Sequence, residues 1–82
     1  MEYEIEFRPK ALKDLDSMQP DVRQRVIKKV EQMRHDLEGD VKRLTNFVPE
    51  YRLRVGDYRV LFAVEGDRVV VYRVRNRREV YR

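Results

Sequence analysis

Arginine is concentrated in the last part of the chain. Residues 51–82 contain nine arginines, no lysine and only four carboxylates. Arg52 and Arg54 alternate with apolar residues, so on a β-strand their side chains share one face, about 7 Å apart. A guanidinium group stays charged and presents a planar fork that matches phosphate oxygens. This spacing therefore predicts a surface that binds phosphate groups.

Further arginines follow this first pair. Arg59 lies just beyond a Gly-Asp pair, and Arg75, Arg77 and Arg78 come shortly before Tyr81. Like charges that converge repel one another unless an anion lies between them, so such a cluster favours a polyanion as partner. Nucleic acid or a nucleoprotein particle is the partner that we expect. A basic surface that serves solubility alone is the competing interpretation.

Residue types that are absent from the sequence limit the reactions it could catalyse. The chain has no cysteine and a single histidine, His35, and it has neither a carboxylate cluster nor a glycine-rich phosphate loop. These absences predict no metal site, no cofactor, no thiol chemistry and no serine-type triad. RNA cleavage is still open, because the 2′-OH of RNA is itself a nucleophile and arginine can position it and stabilise transition-state charge. Tyr81 could transfer the proton if nearby guanidinium groups lower its pKa, whereas packing at the terminus is the simpler interpretation.

Three β-strands must position these arginines. Residues 51–81 fall into three runs rich in Val, Leu, Phe and Tyr, which are separated by Gly56-Asp57 and Gly66-Asp67. β-Branched and aromatic residues suit strands and Gly-Asp pairs suit tight turns, so the region predicts an antiparallel three-stranded meander. Whether the arginines converge depends on the strand register, which the sequence leaves open.

One strand and two helices precede the meander. Residues 1–7 alternate apolar and acidic side chains, as a strand does. Pro9 and Pro20 each suit the first position of a helix, and apolar residues at spacings of three and four predict two helices, the second ending at Leu37. Residues 39–50 form a connector. The order β-α-α-β-β-β predicts an α+β fold in which an N-terminal helical hairpin packs on a largely antiparallel sheet.

Length and composition are typical of one small domain, residues 1–82. The net charge is +4, and the lack of cysteine fits a reducing compartment. No apolar run is long enough for a signal peptide or a membrane span. We therefore expect a soluble, cytoplasmic protein without a membrane partner.

Three segments resemble the RelE/ParE superfamily of toxins from type II toxin–antitoxin systems: FRPKALKDL at residues 7–15, YRLRVGDYR at 51–59 and RREVY at 77–81. RelE-type toxins enter the ribosomal A site and cleave mRNA there without metal, whereas ParE-type toxins poison DNA gyrase. The resemblance implies the RelE-like microbial ribonuclease fold and a ribosome-dependent mRNA endoribonuclease, with mRNA and the ribosomal RNA of the 70S ribosome as partners. It also implies a cognate RelB-like antitoxin and a toxin–antitoxin hetero-oligomer that autoregulates its operon.

The resemblance also implies roles for individual residues. Arg59 matches the arginine that contacts the scissile phosphate, Arg77 the later catalytic arginine proposed to protonate the leaving group, and Tyr81 the C-terminal tyrosine proposed to activate the 2′-OH and stack on the base. Four further arginines are expected to bind RNA and the ribosome: Arg52, Arg54, Arg75 and Arg78. The retained tyrosine favours a RelE-type over a ParE-type function.

The sequence departs from the family pattern at two places. Arg52 and Arg54 stand where RelE-type toxins often carry lysine, which removes any role that needs a deprotonatable amine, and Asn76 stands where many relatives have histidine. Arg75 is the alternative to Arg77 as the catalytic arginine. Two other functions therefore stay open: a ParE-like DNA gyrase inhibitor, and a catalytically degenerate module whose basic sheet only binds antitoxin or nucleic acid.

Overall fold

The structure, a computed structural model, describes residues 1–80. Its elements in chain order are β1 (Glu4–Phe7), α1 (Pro9–Asp16), α2 (Pro20–Gln32), β2 (Val41–Arg43), β3 (Tyr51–Val55), β4 (Tyr58–Glu65), β5 (Arg68–Asn76) and α3 (Arg77–Val80). The strands form one sheet in the order β1-β5-β4-β3-β2, in which β1 is parallel to β5 and all other neighbours are antiparallel. The predicted α+β fold with two N-terminal helices on a largely antiparallel sheet is confirmed. None of the helices in residues 1–80 is long and apolar enough to cross a membrane.

The predicted meander consists of β3, β4 and β5. Two-residue turns at Gly56-Asp57 and Gly66-Asp67 connect the three strands. Each turn places its glycine in the left-handed region, with φ of 57° at Gly56 and 64° at Gly66, where a side chain would be strained. The two Gly-Asp pairs thus mark the strand ends correctly.

One face of the sheet packs against α1 and α2 and forms the core. The helices contribute Ala11, Leu15, Val26 and Val30, and the strands contribute Leu53, Val55, Val60, Phe62, Val69, Val71 and Val74. Phe62 is fully buried, and its ring stacks on that of Tyr51 in the neighbouring strand with 5.5 Å between the ring centroids. The opposite face, which we call the open face, carries the residues that alternate with this core set: Arg52, Arg54, Arg59, Leu61, Val70 and Arg75.

Strand β5 contains one residue more than the part of β4 with which it pairs. The register shifts between Leu61 and Phe62, which makes Tyr72 the extra residue of a β-bulge. Without the bulge, alternation along β5 would direct Arg75 toward the helices. With it, Val74 packs in the core and Arg75 lies on the open face.

Asp14 of α1 binds β5 directly after the bulge. Its Oδ2 accepts hydrogen bonds from Arg73 Nε and from the Val74 N–H, each at 2.8 Å, and its Oδ1 accepts one from Arg73 Nη2 at 3.1 Å. Burial alone would raise the pKa of Asp14, but these hydrogen bonds and the charges of Arg73 and Arg75 outweigh burial and hold that pKa below its usual value. The ionised carboxylate therefore joins α1 to β5 where β1 has ended, opposite Val71.

Helix α2 ends earlier than predicted, at Gln32 instead of Leu37. The chain turns away because the Arg34 carbonyl accepts the N–H of Tyr3, and residues 36 and 37 adopt φ values of 53° and 57° that no α-helix contains. Met33 is fully buried all the same. The apolar spacing thus predicts the burial of Val26, Val30 and Met33 correctly, but Ile27 of the same helix is exposed, and the spacing does not show where the helix ends.

The sequence analysis did not predict two short elements of secondary structure. The connector of residues 39–50 contains β2, which extends the sheet beyond β3. Gly39 lets the connector pass close to the core, since a Cβ at that position would lie 2.8 Å from Leu53 Cδ1. Residues 77–80, which the prediction included in the last strand of the meander, form helix α3.

We expect Asp14→Asn to lower the free energy of unfolding at pH 7 by about 1–3 kcal/mol, because charged hydrogen bonds to a half-buried group are lost. The pKa of Asp14 is lowered in the folded state, so its contribution is fully present above the unfolded value of about 3.9 and is lost as the pH falls through the folded value. The free energies of unfolding of the wild-type protein and of Asp14→Asn, measured with urea, should therefore converge at low pH.

The matched control is Asp16→Asn, which removes the same charge from an exposed site on the same helix. It should change the free energy of unfolding by less than about 0.5 kcal/mol. Equal effects of the two substitutions at pH 7 would contradict the role given to Asp14.

Candidate nucleic-acid interface

Three of the predicted arginines form a row across the open face. Arg59 in β4 lies directly opposite Arg54 in β3 on one side and opposite Arg75 in β5 on the other. Residues opposed in this way have Cβ atoms about 5 Å apart. We call these three residues the arginine row. Because like charges this close repel, each member must be balanced by acceptors within the protein or by a bound anion.

Arg59 is the central and most buried member of the arginine row. Only 8% of its surface is exposed, and its Nη1 donates hydrogen bonds to the carbonyl oxygens of Gly56 at 2.9 Å and Tyr58 at 3.0 Å. These bonds fix the guanidinium group against the β3–β4 turn. Arg59 thus supplies positive charge and stabilises the turn, while its two neighbours are more accessible to a ligand.

Arg52 and Arg54 share the open face of β3, as predicted, but they differ in their contacts. Arg52 Nη1 donates to the carbonyl oxygen of Asp40 at 2.7 Å and to Asp40 Oδ1 at 3.2 Å, and only 15% of the Arg52 side chain is exposed. Arg54 is exposed, and in the described part of the chain it has no ion-pair partner. Of the two, Arg54 is the one placed to meet an incoming phosphate.

Two carboxylates balance the β5 end of the arginine row. Arg75 Nε donates to Glu79 Oε2 at 2.9 Å, and Arg73 is held by Asp14. The hydrogen bond to Asp14 raises the pKa of Arg73 against the opposing effect of burial, and the negative charges of Asp14 and Glu79 add to the rise. Asp14, Arg73, Arg75 and Glu79 therefore form one group of four mutually compensating charges.

A cleft of about 520 Å3 lies next to the arginine row, at the end of the sheet. We call it the terminal cleft; its walls are Asp57, Tyr58, Asn76, Arg77, Arg78 and Glu79. The N–H of Arg77 donates to the carbonyl oxygen of Asp57 at 2.8 Å, which holds the start of α3 against the β3–β4 turn. Arg77 and Arg78 are thus brought to the same end of the sheet as the arginine row, whereas Tyr81 lies outside the described residues.

Two residues at this end of the molecule were not predicted as site residues from the sequence. Arg25, on α2, lies beside the β3–β4 turn, since a Cβ on Gly56 would be 3.6 Å from its Nη1. Among the basic residues of α2 nothing in the sequence distinguishes Arg25, because its position depends on how the helix packs. Glu79 carries a local signal, since it follows Arg75 at a spacing of four residues.

His35 lies away from the arginine row. Its Nδ1 is 2.7 Å from Glu2 Oε1, where the segment after α2 bridges to the N-terminus. No group of three or more His, Asp or Glu side chains that could hold a metal ion occurs among residues 1–80.

The arrangement can bind and polarise a phosphodiester. Guanidinium forks donate paired hydrogen bonds to phosphate oxygens, and fixed positive charges stabilise the extra negative charge that develops when the phosphorus is attacked. Arginine does not give up its proton at neutral pH, so a base for such a reaction must be a different residue. The described residues of the interface therefore have the chemistry for binding and charge stabilisation, but not for the base.

Comparison with known sequences gives consistent matches over almost the whole chain. The family model described as ParE toxin of type II toxin-antitoxin system, parDE, matches residues 5–81. Toxin RelE3 of Methanocaldococcus jannaschii is 31% identical over 80 residues, which cover 92% of this chain and 91% of that protein.

Solved structures share the fold. A chain of the RelB-RelE antitoxin-toxin complex from Methanococcus jannaschii matches with a TM-score of 0.75 and 29% identity, covering 93% of this chain and 94% of that chain. A chain of the archaeal RelE-RelB complex from Pyrococcus horikoshii matches with a TM-score of 0.77, covering 98% of this chain and 100% of that chain. Its identity of 22% supports likeness of fold alone.

We expect Arg54→Ala to weaken binding of a single-stranded oligoribonucleotide about three- to tenfold near 0.1 M salt, because one exposed phosphate contact is lost. The slope of log affinity against log salt concentration should fall by about 0.7. Fluorescence anisotropy titrations over a salt series measure both quantities.

Arg43→Ala is the matched control, because Arg43 is another exposed arginine, on β2, paired at 3.6 Å with Glu50 instead of lying in the arginine row. It should change the affinity less than Arg54→Ala does. Equal losses in the two variants would mean that net charge, and not the arginine row, determines binding.

Proposed function

Because the chain belongs to the ParE toxin family of type II toxin–antitoxin systems, within the RelE/ParE superfamily, we propose that it is a ribosome-dependent endoribonuclease. In this proposal residues 1–82 act as a single toxin domain that enters the ribosomal A site, cuts mRNA codons there and so inhibits translation. The substrate is RNA, and no metal ion or cofactor is assigned a step.

The observation that carries the proposal is the arginine row beside the terminal cleft. Arg54 and Arg75 are accessible on either side of the buried Arg59, and Arg77 and Arg78 line the adjoining cleft. Such a surface suits a flexible phosphodiester chain more than a compact anion, because its charges extend across several strands. Arg52 and Arg78 would add contacts to mRNA or ribosomal RNA.

The proposed reaction uses the nucleophile of the RNA itself. The 2′-oxygen gives its proton to Tyr81 and bonds to the adjacent phosphorus, while the bond from that phosphorus to the 5′-oxygen of the next nucleotide breaks. Arg59 and its neighbours in the row stabilise the pentacoordinate phosphorus, and Arg77, with Arg75 as the alternative, stabilises the negative charge on the leaving 5′-oxygen. That oxygen takes a proton from solvent water, and Tyr81 returns the proton that it accepted to the solvent. The products are a 2′,3′-cyclic phosphate and a 5′-hydroxyl.

We further propose an antitoxin partner of the RelB type. The similar chain from Methanococcus jannaschii occurs in a RelB-RelE antitoxin-toxin complex. An acidic, partly disordered antitoxin would complement the positive charge of the open face and bury it. The resulting hetero-oligomer would regulate its own operon.

A second candidate function is inhibition of DNA gyrase. The family description that matches residues 5–81 is that of a ParE toxin, and Arg59 is buried against the β3–β4 turn instead of projecting outward. A non-enzymatic inhibitor needs no exposed catalytic arginine. The third candidate function for the same surface is a module that only binds antitoxin or nucleic acid.

We expect the wild-type protein to cut mRNA at A-site codons in a reconstituted translation system, as mapped by primer extension. Tyr81→Phe should lower the cleavage rate about 100-fold or more, because the proton acceptor is lost. Tyr72→Phe is the control: it removes a hydroxyl whose contact is Glu65 Oε2 at 3.4 Å, on a different part of the sheet, and should cut at nearly the wild-type rate.

The same assay separates the candidates. Wild-type cleavage that persists in Tyr81→Phe would exclude Tyr81 as the base while leaving the nuclease in place. If the wild-type protein makes no cuts, a DNA supercoiling assay with purified gyrase decides between the inhibitor, which stops supercoiling, and the binding module, which does not.

A further inference from the structure

An internal carboxylate holds the Nε of the β5 arginine. Glu79 Oε2 accepts the hydrogen bond from Arg75 Nε at 2.9 Å. The two side chains are partly accessible, with 32% of Arg75 and 52% of Glu79 exposed. A carboxylate on a guanidinium group makes the same charge-assisted contact that a phosphate oxygen would make.

The backbone of the segment after β5 fixes the position of Glu79. The N–H of Arg77 donates to the Asp57 carbonyl at 2.8 Å, and the N–H of Arg78 donates to Asn76 Oδ1 at 3.1 Å. These two bonds turn the chain into α3 directly after the strand. The turn brings Glu79 back over Arg75, four residues earlier, so the contact is part of the fold of this segment.

Glu79 also faces the terminal cleft. It lines the same space as Arg77 and Arg78, with Asp57 as the other carboxylate of the wall. Glu79 is therefore the residue of the cleft wall that also contacts Arg75, so a phosphate that extends from the cleft to Arg75 comes close to its carboxylate. A phosphate and a carboxylate bound to the same guanidinium group repel each other, so simultaneous binding of both to Arg75 is unfavourable.

We propose that Glu79 is an internal competitor for RNA phosphate at Arg75: a phosphodiester that binds the Nε side of this guanidinium group must displace the Glu79 carboxylate. The inference rests on the proposed RNA-binding function and adds a regulatory contact to it. Displacement breaks the Arg75–Glu79 ion pair. The same RNA offsets this loss of free energy when it also contacts Arg54 and the cleft arginines. The site thereby favours a polynucleotide over a single phosphate group.

The test is the affinity for a fluorescein-labelled 2′-O-methyl oligoribonucleotide, which lacks the 2′-OH nucleophile and cannot be cut. Glu79→Gln keeps the size of the side chain and removes its charge. We expect this variant to bind about two- to fivefold more tightly than the wild-type protein, the range that an exposed ion pair can supply. Thermal unfolding of each variant checks that the fold is retained.

Two further variants make the comparison specific. Glu50→Gln removes one negative charge at the other end of β3, where Glu50 pairs with Arg43 at 3.6 Å, so it reports the effect of net charge alone. The double variant Arg75→Ala with Glu79→Gln reports whether the gain passes through Arg75. We expect Glu50→Gln to bind less tightly than Glu79→Gln, and the gain to be lost when Arg75 is absent.

Each other outcome overturns the inference. An unchanged or weaker affinity in Glu79→Gln shows that the carboxylate does not compete, and a gain matched by Glu50→Gln shows a general charge effect. A gain that persists without Arg75 places the competition elsewhere. Because the probe cannot be cleaved, a protein that fails to cut mRNA on ribosomes but shows the expected pattern would retain the inference and lose the proposed enzymatic function.

Discussion

One extra residue in β5 determines which side chains of that strand face the core and which face outward. Tyr72 shifts the alternation of the strand by one position, so the valines before and after it face the helices and Arg75 faces outward beside Arg59. Asp14 binds the two residues that follow the bulge and joins them to α1. The bulge and Asp14 thus close the edge of the core and align the arginine row. The geometry of the interface is therefore a consequence of how the core packs.

Most of the arginines on and beside the open face have acceptors within the fold, with Arg54 as the exception among the described residues. Arg52 is held by Asp40, Arg59 by carbonyl oxygens of the turn, Arg73 by Asp14 and Arg75 by Glu79. This balance lets a small domain keep several guanidinium groups on one face without an anion present. The contacts differ in exposure, since those of Arg59 are buried and that of Arg75 is partly exposed to solvent. Arg54 and Arg75, on either side of Arg59, are therefore the accessible members of the row.

Much of this could be predicted from the sequence, for identifiable reasons. The Gly-Asp pairs and the alternation around Arg52 and Arg54 are local signals, and they give the strands, the turns and the shared face correctly. The bulge at Tyr72 has no local signal of that kind, because it is visible only in the pairing with β4, and so the alignment of Arg75 with Arg59 could not be read in advance. The end of α2 and the pairing of β2 depend in the same way on contacts with distant segments, which apolar spacing does not report.

The central claim is that the arginine row and the terminal cleft together form one phosphate-binding surface. A crystal structure of the chain bound to a 2′-O-methyl oligoribonucleotide tests it most directly, because the position of each phosphate is then observed. We expect phosphate oxygens within hydrogen-bonding distance of Arg54 and Arg75, with the backbone continuing into the cleft beside Arg77. RNA bound along the helices instead, with no phosphate at Arg54 or Arg75, would contradict the claim.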